Sequence, residues 1–193
     1  MKYHAVIGPA GENQVLFAGI VSGERIAGRT GVGAVMGSKR LKAISVAGSR
    51  KLEMDEPEKF KEYTKEVREL FAEHPVLGES MKRYGTANIV NTTNARNIIP
   101  TRNFKRGHFR DAMNISGEYM EDHVLVGVKS SWLHCPVTCG REVEVEGVGR
   151  VKGPEYETLA LMGTNLEIGD LKKVSEWNYH ADDQGMDTIS LGA

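Results

Sequence analysis

Residues 28–39, Gly28-Arg29-Thr30-Gly31-Val32-Gly33-Ala34-Val35-Met36-Gly37-Ser38-Lys39, hold four glycines in ten positions, with Arg29 and Lys39 close to either end. Glycine lets main-chain N–H groups come close to anionic oxygens, so the stretch suits a phosphate. A Walker loop needs G-x4-G-K-[ST], and Gly37-Ser38-Lys39 reverses that order. A dinucleotide fingerprint is G-x-G-x-x-G between a strand and a helix. Gly31, Gly33 and Gly37 give a relaxed version of it, but the following LKAISVAG alternates like a strand. Two further readings stay open on these residues alone. One is a tight turn between strands; the other is a main-chain cradle for a different phosphorylated cofactor, with Arg29 and Lys39 adding charge.

Outward from this stretch, HAVIG and QVLFAGIV read as strands and GPAGEN as the turn between them. With LKAISVAG they make the first 48 residues β-rich around one long loop. The character then changes. Asp55-Glu56-Pro57 is a helix start, with Asp55 as the capping residue. Phe60, Tyr63, Val67, Leu70 and Phe71 follow at helical spacing, and Pro75 ends the helix near His74. A second helix is expected over 76–92, then a loop-rich stretch over 93–122 around Pro100. VEVEGVGRVKG reads as a hairpin turning at Gly147-Val148-Gly149, and 154–163 as a helix. Asp170 caps a last helix, with Leu171, Val174 and Trp177 on one face and Gly185 as its stop. The fold class is α+β: a β-rich N-terminal segment over 1–50, then a mainly α-helical segment over 51–193.

The chain of 193 residues is 40% hydrophobic and 26% charged, with a net charge of −1, as expected of a globular protein. Its basic residues are spread out, unlike a nucleic-acid footprint. No apolar run approaches a membrane span. The start, MKYHAVIGPAGENQ, has no charged-then-apolar leader pattern, which favours the cytoplasm.

Three constellations carry chemistry. Cys135 and Cys139 lie in C-P-x-x-C beside His134. Thiolates at short spacing bind iron–sulfur clusters or zinc, and a pair of buried thiols is the bland alternative. GPEYETLALMG puts Glu155 and Glu157 ahead of an apolar run. They suit a helix N-terminus, and equally a carboxylate placed for proton transfer. In HADDQGMDTIS, Asp182, Gly185 and Asp187 form D-x-x-G-x-D near a helix C-terminus. The helix dipole disfavours carboxylates there, which argues for a functional role. An EF-hand loop would need D-x-[DN]-x-[DN]-G, which is absent. N–H donors of a polar heterocycle are the other candidates.

Together these motifs resemble the tungsten-dependent aldehyde ferredoxin oxidoreductase family. The matching segments are IGPAGEN, AGRTGVGAVMGSKRLKAI, PTRNF, ISGE, CPVTCGR, GPEYETLALMGTN and DDQGMDTIS, in family order. The resemblance implies a tungsten (or molybdenum) ion held by the dithiolenes of two pterins, with a [4Fe–4S] cluster nearby and magnesium bridging the pterin phosphates. It implies oxidation of aldehydes to carboxylates, with electrons leaving to ferredoxin or an electron-transfer subunit; relatives act on other acyl or aromatic substrates. Residues 1–50 would be the end of a pterin-binding β domain, and 51–193 the start of the second domain. Arg29, Thr30, Gly31, Gly33 and Lys39 would meet the phosphates and magnesium. Asp182, Gly185, Met186 and Asp187 match the pterin-binding motif, Glu157 the glutamate near the metal, and Cys135 and Cys139 two cluster ligands. A homo-oligomer is also expected, with no nucleic-acid or membrane partner.

The chain departs from the family pattern in two ways. Trp132 stands where the family has its first cluster cysteine, and family members are much longer. The sequence therefore reads as an internal fragment, inactive alone. The competing expectations are a non-catalytic relative that has lost the cluster and, on the relaxed glycine pattern, an NADP-binding module.

Overall fold

The computed structural model describes residues 2–49, 53–129 and 135–193. Trp132, His134 and part of the expected domain boundary lie outside them.

The first sheet is antiparallel, in the order β3-β2-β1-β4. Its strands are β1 (Lys2–Val6), β2 (Ile20–Ser22), β3 (Arg25–Ala27) and β4 (Ala43–Ala47). Val6 pairs with Val21 on one side and Ala43 on the other. Two helices sit beside the sheet: α1 (Pro9–Glu12) and α2 (Val32–Ser38). Both correct the sequence reading. GPAGEN is not a plain turn, because Pro9 fits the first helical position of α1. Residues 14–19 of the second expected strand are turn and bridge, and only its end is strand. The glycine stretch is a 3₁₀ turn at Arg29–Gly31 running into α2, not an open loop. Glycine costs helix stability, but here packing outweighs propensity. A β-carbon on Gly33 would overlap the Gly19 carbonyl, and one on Gly37 the Gly11 carbonyl. These glycines exist so that α2 can lie directly on the 11–19 backbone.

The helix α3 (Pro57–Glu73) forms where its spacing predicts, with Glu56 rather than Asp55 at the N-cap. The His74 ring accepts from the Val76 and Leu77 amides at its end. Phe60, Tyr63, Val67 and Leu70 are all exposed, so none of the described residues covers the apolar face of α3.

The single helix expected over 76–92 is broken into a π turn (Pro75–Ser80), α4 (Met81–Tyr84), a 3₁₀ turn (Gly85–Ile89) and α5 (Val90–Ala95). Gly85, at φ +63°, interrupts it. The stretch over 93–122 is less irregular than expected. It contains a 3₁₀ turn (Ala112–Ile115) and α6 (Gly117–His123), whose Ser116 cap accepts from the Tyr119 amide.

A second antiparallel sheet, in the order β5-β6-β7, follows: β5 (Leu125–Lys129), β6 (Gly140–Val145) and β7 (Gly149–Lys152). β6 and β7 are the expected hairpin, with Val145 opposite Gly149. The expected helix after Gly153 begins as α7 (Tyr156–Thr158) and continues through a π turn at Leu159–Gly163. Next, α8 (Leu171–Gln184) is capped by the Asp170 carboxylate, which accepts from the Lys173 amide. Gly185 stops it at φ +74°, and α9 (Thr188–Leu191) closes the chain. The main core joins these helices to the second sheet through Val90, Ile99, Ile115, Met120, Val143, Leu159 and Val174. The α+β expectation therefore holds: antiparallel sheets with helices against them.

Candidate functional site

The end of α8 is stitched to the first sheet by main-chain bonds. The Gly19 amide donates to the Gly185 carbonyl at 2.8 Å, and the Asp187 amide to the Phe17 carbonyl at 3.0 Å. Ala18 and Met186 form an isolated bridge between them. Gly8 and Gly185 lie so close that a β-carbon on Gly185 would be 3.0 Å from the Gly8 nitrogen. The D-x-x-G-x-D motif is thereby fixed against IGPAGEN, more than 170 positions away in sequence.

This contact opens a cavity of about 500 Å³. Its walls include Arg29, Cys139, Glu157, Asp182, Met186 and Asp187 from the expected set, together with Arg25, Lys152 and Glu155. A second cavity of about 440 Å³ shares Arg25, Lys152 and Asp182 with it. Thr30, Gly31, Gly33, Lys39, Cys135 and Gly185 are not in the lining of the larger cavity. Lys39 follows α2 and Arg29 precedes it, with the helix, about 10 Å long, between them. Thr30, at φ +73°, is exposed beside Arg29. Gly31 is held left-handed against the Leu16 carbonyl.

Asp182 lies in the last turn of α8, where the dipole disfavours a carboxylate. Burial pushes its pKa above the ordinary range, opposed by Lys152, whose Nζ is 3.3 Å from Oδ2. Asp187 is placed differently from the sequence expectation. It is the N-cap of α9, 5% exposed, and accepts from the Ile189 and Ser190 amides and from the Ser190 hydroxyl at 2.6 Å. Arg29 Nε lies 3.9 Å from its Oδ2. Asp187 therefore holds the wall of the cavity, while Asp182 keeps acceptor capacity facing it.

Glu155 accepts from the Thr86 hydroxyl at 2.7 Å, and Arg25 reaches its other oxygen at 3.7 Å. Glu157, two residues on, is exposed at the cavity wall. Beneath them Thr158 bonds Thr188 and Asn178, and Asn178 donates to the Lys152 carbonyl. This buried polar layer fixes the floor. Arg25 and Lys152 carried no sequence signal, being single cations in strands; only their position relative to Asp182 and Glu155 marks them.

Cys135 and Cys139 are not joined in a disulfide. Among the described residues no group of three His, Cys, Asp or Glu side chains is set to hold a metal ion. Thr138 Oγ1 and Arg141 Nε, on either side of Cys139, are buried without partners among the described residues.

An antiparallel sheet is thus joined to a helical unit over a mixed-charge cavity. The family comparison gives it a place. The aldehyde ferredoxin oxidoreductase N-terminal domain matches residues 2–48, and domains 2 and 3 of that family match 62–193. The chain belongs to the aldehyde ferredoxin oxidoreductase family. It is 48% identical over 189 residues to the tungsten-containing aldehyde ferredoxin oxidoreductase of Pyrococcus horikoshii, covering 97% of this chain and 31% of that protein. The enzyme of the same name from Thermococcus kodakarensis is 45% identical over 193 residues, covering 99% of this chain and 32% of that protein. Among solved structures, the active site complex BamBC of benzoyl coenzyme A reductase, in complex with 1,5-dienoyl-CoA, aligns with TM-score 0.69 at 26% identity. That alignment covers 97% of this chain and 30% of the other. The chain thus spans about a third of the length of the relatives it matches. No helix among the described residues is long and apolar enough to cross a membrane.

Proposed function

We propose that this chain forms part of a tungstopterin (or molybdopterin) oxidoreductase that oxidises aldehydes to carboxylates, with electrons leaving through a [4Fe–4S] cluster to ferredoxin or an electron-transfer subunit. The observation that carries this reading is the shared cavity. It gathers Arg29, Cys139, Glu157, Asp182 and Asp187 from four separate sequence regions, all positions that match family motifs. The pterin-bound metal supplies the two-electron chemistry when present.

This chain's residues would bind, orient and move protons. Asp182, half-buried and able to accept, would take hydrogen bonds from pterin ring N–H groups. Gly185 and Met186 fix its position through their main-chain bonds to the first sheet. Arg29 and Arg25, which line the cavity, would meet the pterin phosphates, and Thr30, Gly31, Gly33 and Lys39, on the turn and helix that follow Arg29, would hold the rest of the phosphate and magnesium site. Oxidation of an aldehyde and water to a carboxylic acid releases two electrons and two protons. Glu157 would accept a proton at its exposed carboxylate. Cys135 and Cys139 would supply two cluster ligands.

The division of labour follows the family match: residues 1–50 as the end of the pterin-binding domain and 51–193 as the start of the second. A multi-subunit structural neighbour supports partner subunits or self-association. Thiols outside any disulfide suit a reducing compartment, the cytoplasm.

Cofactor analysis of Asp182→Ala in the anaerobically purified holoprotein tests the reading. Loss of pterin and tungsten with the fold kept supports it, and full cofactor content refutes the role of Asp182. A second reading, a relative that has lost the cluster, rests on Trp132 at a family cysteine position; tungsten without iron would select it.

A further inference from the structure

Asn178 and Asp182 stand one turn apart on α8 and meet Lys152 from the same face. The Asn178 amide donates to the Lys152 carbonyl at 3.3 Å, and the Lys152 ammonium donates to Asp182 Oδ2 at 3.3 Å. On its other side Lys152 is held in β7 opposite Glu142. Backbone and side chain are both tied down, so the ammonium is a placed group. Its side chain is 18% exposed and that of Asp182 25%. Both residues line both cavities.

The pair leaves hydrogen-bonding capacity unused on each side. An ammonium carries three donors, and one goes to Asp182. No hydrogen bond from the described residues reaches Asp182 Oδ1. The two charges offset each other, and this sets what the place can take. A phosphate there would meet the Asp182 carboxylate, and a metal ion would meet the Lys152 ammonium, so each is opposed by half of the pair. A neutral group with an acceptor beside a donor satisfies both halves at once. The cyclic amide (lactam) edge of a heterocycle, H–N–C=O, is such a group.

We propose that Lys152 is a cofactor-binding residue that works with Asp182: it donates to the ring carbonyl of a lactam edge while Asp182 accepts from the neighbouring N–H. The inference rests on the pterin reading above and deepens it, since a pterin is a 2-amino-4-oxo heterocycle with this edge. It gives Lys152 a role unlike that of the cations read as meeting phosphate. Those answer a charge, whereas Lys152 reads one carbonyl oxygen.

The first measurement is pterin content in the anaerobically purified full-length holoprotein. Lys152→Met should retain at most about a tenth of the wild-type pterin, as expected for a lost charge-assisted hydrogen bond, and Lys152→Arg should retain most of it. Thermal melting checks the fold of each. The second uses protein stripped of cofactor and titrated at neutral pH with free pterin and with 2,4-diaminopteridine, which carries an amino donor where pterin has the carbonyl. Wild type should prefer pterin by about 10- to 100-fold, and Lys152→Met should lose the preference. A lysine that served only to neutralise Asp182 and the end of α8 would give no such preference. Equal affinity for the two pteridines in wild type, or full pterin content in Lys152→Met, overturns the inference and leaves the pterin reading intact. A folded wild-type holoprotein without pterin overturns that reading, and this inference with it.

Discussion

Gly19 donates its amide hydrogen to the carbonyl of Gly185 at 2.8 Å, and this bond ties the end of α8 to the first sheet. Asp182, Met186 and Asp187, which line the cavity, lie beside this junction. Gly185 is left-handed at φ +74°, and its missing β-carbon faces the Gly8 nitrogen at 3.0 Å. Gly185→Ala therefore combines left-handed strain with a main-chain clash and should cost about 2 kcal/mol or more in urea unfolding. Gly23→Ala is the control. Gly23 is also left-handed, at φ +58°, but has nothing within 4 Å, so about 1 kcal/mol is expected. Equal losses at the two sites would contradict the junction.

Asp187 is read as a helix cap as well as a family motif residue. Asp187→Ala loses acceptors for Ile189, Ser190 and the Ser190 hydroxyl and should lose about 1–2 kcal/mol of stability. Asp187→Asn keeps one acceptor and most of that stability. Thermal melting of the two variants without cofactor separates capping from ligand binding.

Burial raises the Asp182 pKa above its unfolded value, so the native state holds its proton more tightly than the unfolded chain. Stability from this group is present at low pH and is lost as pH rises from about 4, the ordinary aspartate value, through the raised folded value. Lys152 limits the shift. Lys152→Met should extend the declining window to higher pH, measured as unfolding free energy between pH 4 and 8. An unchanged profile would show that the 3.3 Å pair carries no weight.

How far these positions were legible in the sequence varies with the physics behind each. Helices α3 and α8 announce themselves through long apolar periodicity bounded by Pro57, Pro75, Asp170 and Gly185. The α2 helix does not, because Gly33 and Gly37 lower helix propensity for the sake of contacts with residues 11 and 19, which local spacing cannot show. The break in the 76–92 helix turns on the backbone of a single residue, Gly85. Motif positions in the site were visible as patterns. Arg25, Lys152 and Arg141 were not, since a lone cation gains meaning only from what the fold brings beside it.

Glu157 is proposed to handle the proton of the oxidation step. In the holoenzyme Glu157→Gln should lower kcat by about 100-fold or more and remove one limb of the kcat–pH profile. An unchanged profile would remove Glu157 from proton transfer.

The central claim is that this chain helps to hold a pterin-bound metal beside an iron–sulfur cluster. The most direct measurement is a count of tungsten, molybdenum, iron and pterin per chain in the natural protein purified without oxygen. The account predicts about one tungsten or molybdenum, with pterin, and about four irons. A correctly folded protein with neither metal nor pterin would contradict it.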